Sequence, residues 1–335
     1  MKIWIVWATW AVGQELIPLL ERRQFPVSEL RLFGSGNSAG KTIETPYGAR
    51  VIQLLSEEGI WWLDGLFFAA SADVSREWCP RAAEQWIVSV DKSSAFRSNP
   101  DIPLVVPEVN GERIWENLII SSPNCTTSLA AVVLWPIKKE LWLRRVIMST
   151  YQAASWAGRP AMEELQEATR ARVLWENFTS REFPHNLASN LFPHIGTVTS
   201  NGYTDEEMKV TNELRIIFDE PNLPISCTSV RVPVERAHSE SITIETLKPF
   251  LVERVREILK SAPGVLLSDD IGNNLYPMPS RVEGQYDVEV WRIRQSLVFG
   301  EYGGDLFLSW DQLLKGAALN GLQILEYVLK QRWKA

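Results

Sequence analysis

A chain of 335 residues, 45% of them hydrophobic, carries apolar surface enough for two domains of ordinary size. A formal charge of −7 argues against a nucleic-acid partner, and no run approaches the roughly 18 apolar residues of a membrane span. The start, Met1-Lys2-Ile3-Trp4-Ile5-Val6, reads directly as a strand without signal-peptide anatomy; Cys79, Cys125 and Cys227 lie far apart and fit a reducing cytoplasm better than disulfides or a metal site.

Residues 2–7 form a short apolar strand and residues 11–22 an amphipathic helix. Leu30 to Phe33 is a second strand, closing on the small polar loop from Gly34 to Lys41. Leu66 to Ala70 is a third, and a helix around Ser75–Gln85 leads to a strand from Ile87 to Val90. Strands alternating with helices describe a doubly wound, Rossmann-type parallel sheet. Its first strand-turn-helix is where such a fold binds a dinucleotide, on a glycine-rich turn. The turn here is Trp7-Ala8-Thr9-Trp10-Ala11-Val12-Gly13, with the spacing of Gly-x-x-Gly-x-x-Gly but only its last glycine.

From about residue 126 the pattern changes. Val146–Gln152, Ile225–Arg231, Ser241–Thr246 and Val288–Arg294 read as longer alternating strands, so an α+β domain with an antiparallel or mixed sheet is expected. Helices are expected at 160–173, 205–217 and 250–261, and a last one at about 311–331. The boundaries that follow are 1–125 with 312–335 for the dinucleotide-binding domain and 126–311 for the catalytic and dimerisation domain.

Cys125 stands between an apolar strand, Leu118 to Ile120, and an apolar helix starting at Ser128. A cysteine just ahead of a helix meets converging backbone N–H groups, which lower a thiol pKa and donate to an oxyanion. A small buried apolar cysteine is the plainer reading. Against it, Asn124, Thr126 and Thr127 crowd polar groups at this junction. The further candidates are Arg97, Gln152, Glu207, Lys209, Arg231 and His238. His238 titrates near neutral pH and could manage a thiol proton. The arginines end strand-like segments and offer forks for anions, while Glu207 and Lys209 could equally be a solvated helix face.

Several stretches together carry a resemblance: Ser93 to Arg97, Pro103 to Asn110, Pro123-Asn124-Cys125, Ser149 to Gln152, Gly202 to Lys209, Arg231 to Val234, His238 to Ser241, Asn273 to Pro277 and Lys315 to Asn320. In order and spacing the chain resembles the bacterial type of the aspartate-semialdehyde dehydrogenase family along nearly its whole length. The resemblance implies an NADP-dependent, reversible reductive dephosphorylation of aspartyl phosphate to aspartate semialdehyde. That step leads toward lysine, methionine, threonine and diaminopimelate. It implies Cys125 as the thioester nucleophile, His238 as acid/base and Gln152 as a positioning group. Arg231 would grip the substrate carboxylate and Glu207 face its ammonium, with Arg97, Asn124 and Lys209 holding phosphate. NADP contacts would come from Thr9, Trp10, Ala11, Val12, Gly13, Asn37, Ser38, Ser155, Trp156 and Gln312. A cytoplasmic homodimer is implied, with small-molecule substrate and inorganic phosphate as partners.

The departures from the family lie mainly on the cofactor side. Trp4, Trp7, Trp10, Trp86, Trp142, Trp156 and Trp291 stand where the family has glycine or a small residue. Asn37 stands where arginine often pairs with a ribose 2′-phosphate, Gln312 and Lys92 where asparagine is usual. Two other readings therefore stand beside an active dehydrogenase: a silent relative with a blocked cofactor turn, and an N-acetyl-glutamyl-phosphate reductase. Glu207 with Lys209, and Arg231 seven residues before His238, favour aspartyl phosphate over the latter. On the blocked-turn reading NADPH binds weakly or not at all.

Overall fold

The computed structural model describes residues 1–60, 63–268, 270 and 272–332. The chain divides into two units, Met1–Ser128 with Gly316–Ala335, and Leu129–Lys315. Of the expected first domain, residues 61, 62 and 333–335 lie outside the described residues, and of the second 269 and 271.

In the first unit, Ile3 to Val6 are all buried, as the centre of a sheet covered on both faces requires. They belong to β1 (Lys2–Val6), followed by α1 (Ala11–Arg22), β2 (Glu29–Gly34), β3 (Thr42–Ile43), β4 (Arg50–Leu54), β5 (Gly65–Phe68), α2 (Ala72–Glu84), β6 (Val88–Asp91), the short α3 (Pro107–Asn110) and β7 (Ile119–Ser121). The sheet runs β3-β4-β2-β1-β5-β6-β7, parallel except for the β3–β4 edge pair. The order reverses at β1, so the loop after β1 lies at the switch point of a doubly wound sheet. A C-terminal helix, Leu319–Arg332, packs in this unit, with Arg23 forked onto Glu326 at 2.7 and 2.8 Å. It starts later than expected. Asp311 turns the chain by accepting from Leu313 N, and a π-helical turn, Leu314–Ala318, comes before the helix.

The helix α4 (Cys125–Leu141) contains the boundary between the units. The second unit continues with β8 (Leu143–Gln152), α5 (Arg159–Leu174), α6 (Asp205–Phe218), β9 (Ile225–Arg231), β10 (His238–Thr246), α7 (Val252–Lys260), β11 (Val265–Leu267), α8 (Pro279–Val282), β12 (Val288–Gln295) and β13 (Gly303–Trp310). The sheet order is β11-β12-β13-β10-β8-β9 and the sheet is mixed. β8 pairs parallel with β9 and antiparallel with β10. Its inward positions Val146 and Met148 bury with Ile242, Ile244, Leu306 and Leu308, while Arg145 and Ile147 face out, the alternation of a sheet with one covered face.

Candidate active site

The first unit places Cys125 at the first residue of α4, half-exposed. Asn124 sets the turn: its Oδ1 accepts from Thr126 N at 2.9 Å and from the Thr126 hydroxyl. Its carbonyl accepts from Ser128 N at 2.9 Å and starts the helix. Two braces hold the residues just before. Asn320 Nδ2 donates to Ser122 Oγ at 2.9 Å and to Val105 O at 3.1 Å. Lys92 Nζ donates to Pro123 O at 2.5 Å. Arg97 lies in the turn beyond β6 rather than at a strand end, and its guanidinium donates to Ser122 O at 3.1 Å and Lys92 O at 2.8 Å. The other two cysteines have no such setting. Cys79 and Cys227 are buried, and burial first of all pushes both thiols up, away from the thiolate. Asn320 was not singled out from the sequence; its buried amide beside Ser122 is visible only once the C-terminal helix is placed.

The second unit holds the remaining substrate candidates. His238 is the first residue of β10, fully buried, and its Nδ1 accepts from Ala153 N at 3.0 Å. That bond puts the ring proton on Nε2. Burial, then the charge of Arg231, holds the imidazole well below its ordinary range, so the ring is neutral. Arg231, 4% exposed, donates to Ala153 O at 2.5 Å, and its guanidinium lies 5.0 Å from the ring of Trp156. Gln312 ties two loops together, accepting from Ala237 N at 2.9 Å and donating to the Ser155 hydroxyl. Gln152 ends β8, accepts from Thr150 Oγ1 at 3.0 Å and donates to Glu206 Oε1 at 3.0 Å.

That last bond redistributes the roles on α6. Glu207 Oε2 accepts from Thr204 N at 2.7 Å while Thr204 Oγ1 accepts from Glu207 N at 3.3 Å, a reciprocal capping box. The other oxygen of Glu207 accepts from Ser229 N at 2.8 Å. Both oxygens are thus engaged in holding α6 and β9. Glu206 instead meets Gln152, and Lys209 Nζ lies 3.5 Å from its Oε2 and 2.7 Å from Asp205 Oδ2. Two signals in the sequence point the same way. Thr204-Asp205-Glu206-Glu207 is a capping-box pattern, and residues i and i+3 share a helix face where i and i+2 do not.

The dinucleotide turn is formed and carries two indoles, Trp7 and Trp10. Gly13 is required there, since a Cβ would lie 2.7 Å from Ala8 Cα and from Trp7 O. Trp7 takes φ 63°, in the left-handed region. Trp10 occupies the N-cap of α1 without a capping bond, its indole 49% exposed and set edge-on to Trp7 at 6.4 Å. Thr9 and Ser38 face each other at 3.5 Å, and Asn37 is exposed on the loop after β2. A pyrophosphate needs the N–H groups of the first turn of α1 and close backbone approach. With two indoles in that turn, the residues present do not fit it.

The family model described as "Semialdehyde dehydrogenase, NAD binding domain" matches residues 2–117, and "Semialdehyde dehydrogenase, dimerisation domain" matches residues 134–315. An aspartate-semialdehyde dehydrogenase of Prochlorococcus marinus is 46% identical over 321 residues, covering 95% of this chain and 93% of its own. One from Aquifex aeolicus is 42% identical over 335 residues, covering 98% of both chains. A crystal structure of aspartate semialdehyde dehydrogenase II from Vibrio cholerae, complexed with ASA, superposes with a TM-score of 0.94 at 35% identity, over 98% of each chain. With the same two domains matched in order and relatives this similar end to end, the chain belongs to the aspartate-semialdehyde dehydrogenase family.

Proposed function

We propose that this chain interconverts L-4-aspartyl phosphate and L-aspartate 4-semialdehyde, with NADPH as reductant, through an acyl thioester on Cys125. The observation that carries the reading is the placement of that residue: the half-exposed cysteine of the three, at the N-terminus of a 17-residue helix, on a turn braced by Asn124, Lys92 and Asn320. The match to a dimerisation-domain family supports a homodimer. In cells the product would feed lysine, methionine, threonine and diaminopimelate synthesis.

The hydride half of the reaction needs a dinucleotide seat, which the turn from Trp7 to Gly13 does not offer as it stands. The acyl-transfer half needs none. The Cys125 sulfur adds to the acyl carbon of aspartyl phosphate; the Nε2–H of the neutral His238 goes to the departing phosphate, and the Cys125 proton replaces it on that nitrogen. The bond from that carbon to the phosphate oxygen breaks, and inorganic phosphate leaves with the electron pair. Backbone N–H groups at the start of α4 stabilise the oxyanion. Arg231 takes the substrate carboxylate. Glu206, in the role first given to Glu207, takes the ammonium, and Gln152 positions the substrate. Arg97, Asn124 and Lys209 take the phosphate.

The test isolates this half. Aspartyl phosphate without cofactor should leave an aspartyl adduct on the Cys125 peptide, found by mass spectrometry and removed by hydroxylamine. Cys125→Ala should show no adduct while its circular dichroism is unchanged. The same adduct level in Cys125→Ala would sink the proposal.

A further inference from the structure

Among the described residues, eleven non-glycine residues have positive φ, and five of them are tryptophan: Trp7, Trp86, Trp115, Trp142 and Trp175. Tryptophan is only 15 of the 335 residues, so chance does not account for this share. A bulky side chain at positive φ is an outlier that surrounding structure must enforce.

Three of the five end helices at the position that glycine favours. After α2, Trp86 N donates to Ala83 O at 2.9 Å and Ile87 N to Ala82 O at 3.1 Å, the paired bonds of a Schellman motif. After α5, Trp175 N donates to Arg172 O at 3.4 Å and Glu176 N to Ala171 O at 2.8 Å, the same motif. After α4, Trp142 N donates to Lys138 O at 2.9 Å, the single-bond form. Trp115 takes φ 36°, ψ −129°, a quadrant glycine enters freely and L side chains avoid. The indoles gain little in return: Trp175 is 95% exposed, Trp86 81% and Trp115 74%. By contrast α6 makes the same turn with Asp219, a short polar residue that tolerates it.

The misfit extends to indoles that are buried. The Nε1 of Trp4, Trp291 and Trp310 has no hydrogen-bond partner, whereas a buried indole N–H ordinarily finds one. And at the dinucleotide turn Trp7 and Trp10 hold the first two glycine places of the Gly-x-x-Gly-x-x-Gly spacing. One residue type replacing glycine at unrelated sites points to a common cause in the message, not in the fold. The triplet UGA is read as tryptophan in some genetic codes and as glycine in others.

We infer that the protein made in its own cell carries glycine at residues 7, 10, 86, 115, 142 and 175, where the gene's UGA triplets are read as glycine. Glycine at 7 and 10, with Gly13, completes the Gly-x-x-Gly-x-x-Gly turn and opens the first turn of α1 to a pyrophosphate. Trp135, stacked on Phe218 at 5.9 Å, and Trp78, under Arg81, are ordinary tryptophan environments and lie outside the inference. It is independent of the acyl chemistry proposed for Cys125.

The direct test is peptide sequencing by mass spectrometry of the full-length protein purified from the cells that carry the gene. Glycine at the six positions is expected; tryptophan at any of them overturns the inference there. A recombinant series checks the physical argument. Combining Trp86→Gly, Trp115→Gly, Trp142→Gly and Trp175→Gly should raise Tm, and a fall would overturn the claim that these backbones are built for glycine. Trp7→Gly with Trp10→Gly should tighten NADPH binding at least about tenfold, read by calorimetric titration. Equal affinity in the unaltered chain would overturn the account of the turn.

Discussion

Glu206 and Glu207 are adjacent, equally acidic and both buried, yet their oxygens do different work. Glu207 closes the capping box and takes Ser229 N; Glu206 faces Gln152 and Lys209. Steady-state kinetics should separate them. Glu206→Gln should raise the KM for aspartate semialdehyde about 10-fold or more and move the phosphate KM less, because its charge faces the ammonium directly and reaches phosphate only through Lys209. Glu207→Gln should act mainly on stability, about 1 kcal/mol, the usual worth of a lost cap. Equal kinetic loss in both would undo the assignment. Candidates for the site could be named from the sequence wherever identity alone decides, as with Cys125, His238, Arg231 and Gln152 in their motifs. The site was not legible where the choice lay between neighbours, since charge pattern does not say which carboxylate a cap consumes. Asn320 was hidden for another reason, as its partners Val105 and Ser122 are distant in sequence.

At the scale of the element, β10 buries two titratable groups on one face, His238 and Glu240, with opposite linkage to pH. His238 is held well below the 6.5 of an unfolded histidine by burial and by Arg231. Below about pH 6.5 the unfolded chain therefore binds a proton that the folded chain refuses, and stability falls as pH drops. Burial raises the Glu240 carboxyl well above the 4.5 of an unfolded glutamate. Above that value the folded chain keeps a proton that the unfolded chain releases, so stability falls as pH rises. Thermal melts from pH 5 to 9 should show Glu240→Gln flattening the alkaline limb and His238→Gln the acid limb. Unchanged profiles would show that neither group is linked to unfolding. The strand itself was readable as an alternating pattern, though its start at His238 was not. Buried parallel strands such as β1 and β5 announce themselves as continuous apolar runs. The edge strands β3 and β4 do not, being short and largely exposed.

For the whole molecule, two units each close their own sheet, and each is matched by its own family model. No helix among the described residues is long and apolar enough to cross a membrane. The expected switch from a parallel to a mixed sheet is found, because βαβ alternation and amphipathic strands leave different hydrophobic periods. Among the described residues, five tryptophans at positive φ break that agreement between local pattern and fold. Their placement has an optical consequence. Trp86, Trp115 and Trp175 already stand in water in the folded chain. Part of the intrinsic emission of the recombinant chain should therefore lie near the wavelength of free indole, and iodide should quench that part without denaturant. On heating, the buried Trp4 and Trp310 should become open to iodide together with the far-ultraviolet dichroism melt, while the part quenched beforehand changes little. Iodide quenching that begins only with the dichroism melt would mean that Trp86, Trp115 and Trp175 are sheltered in solution. Protein from the native cells, with glycine at the six positions, keeps nine of the fifteen indoles and loses the three most exposed among the described residues, so its emission should lie to the blue of the unaltered chain's and resist iodide.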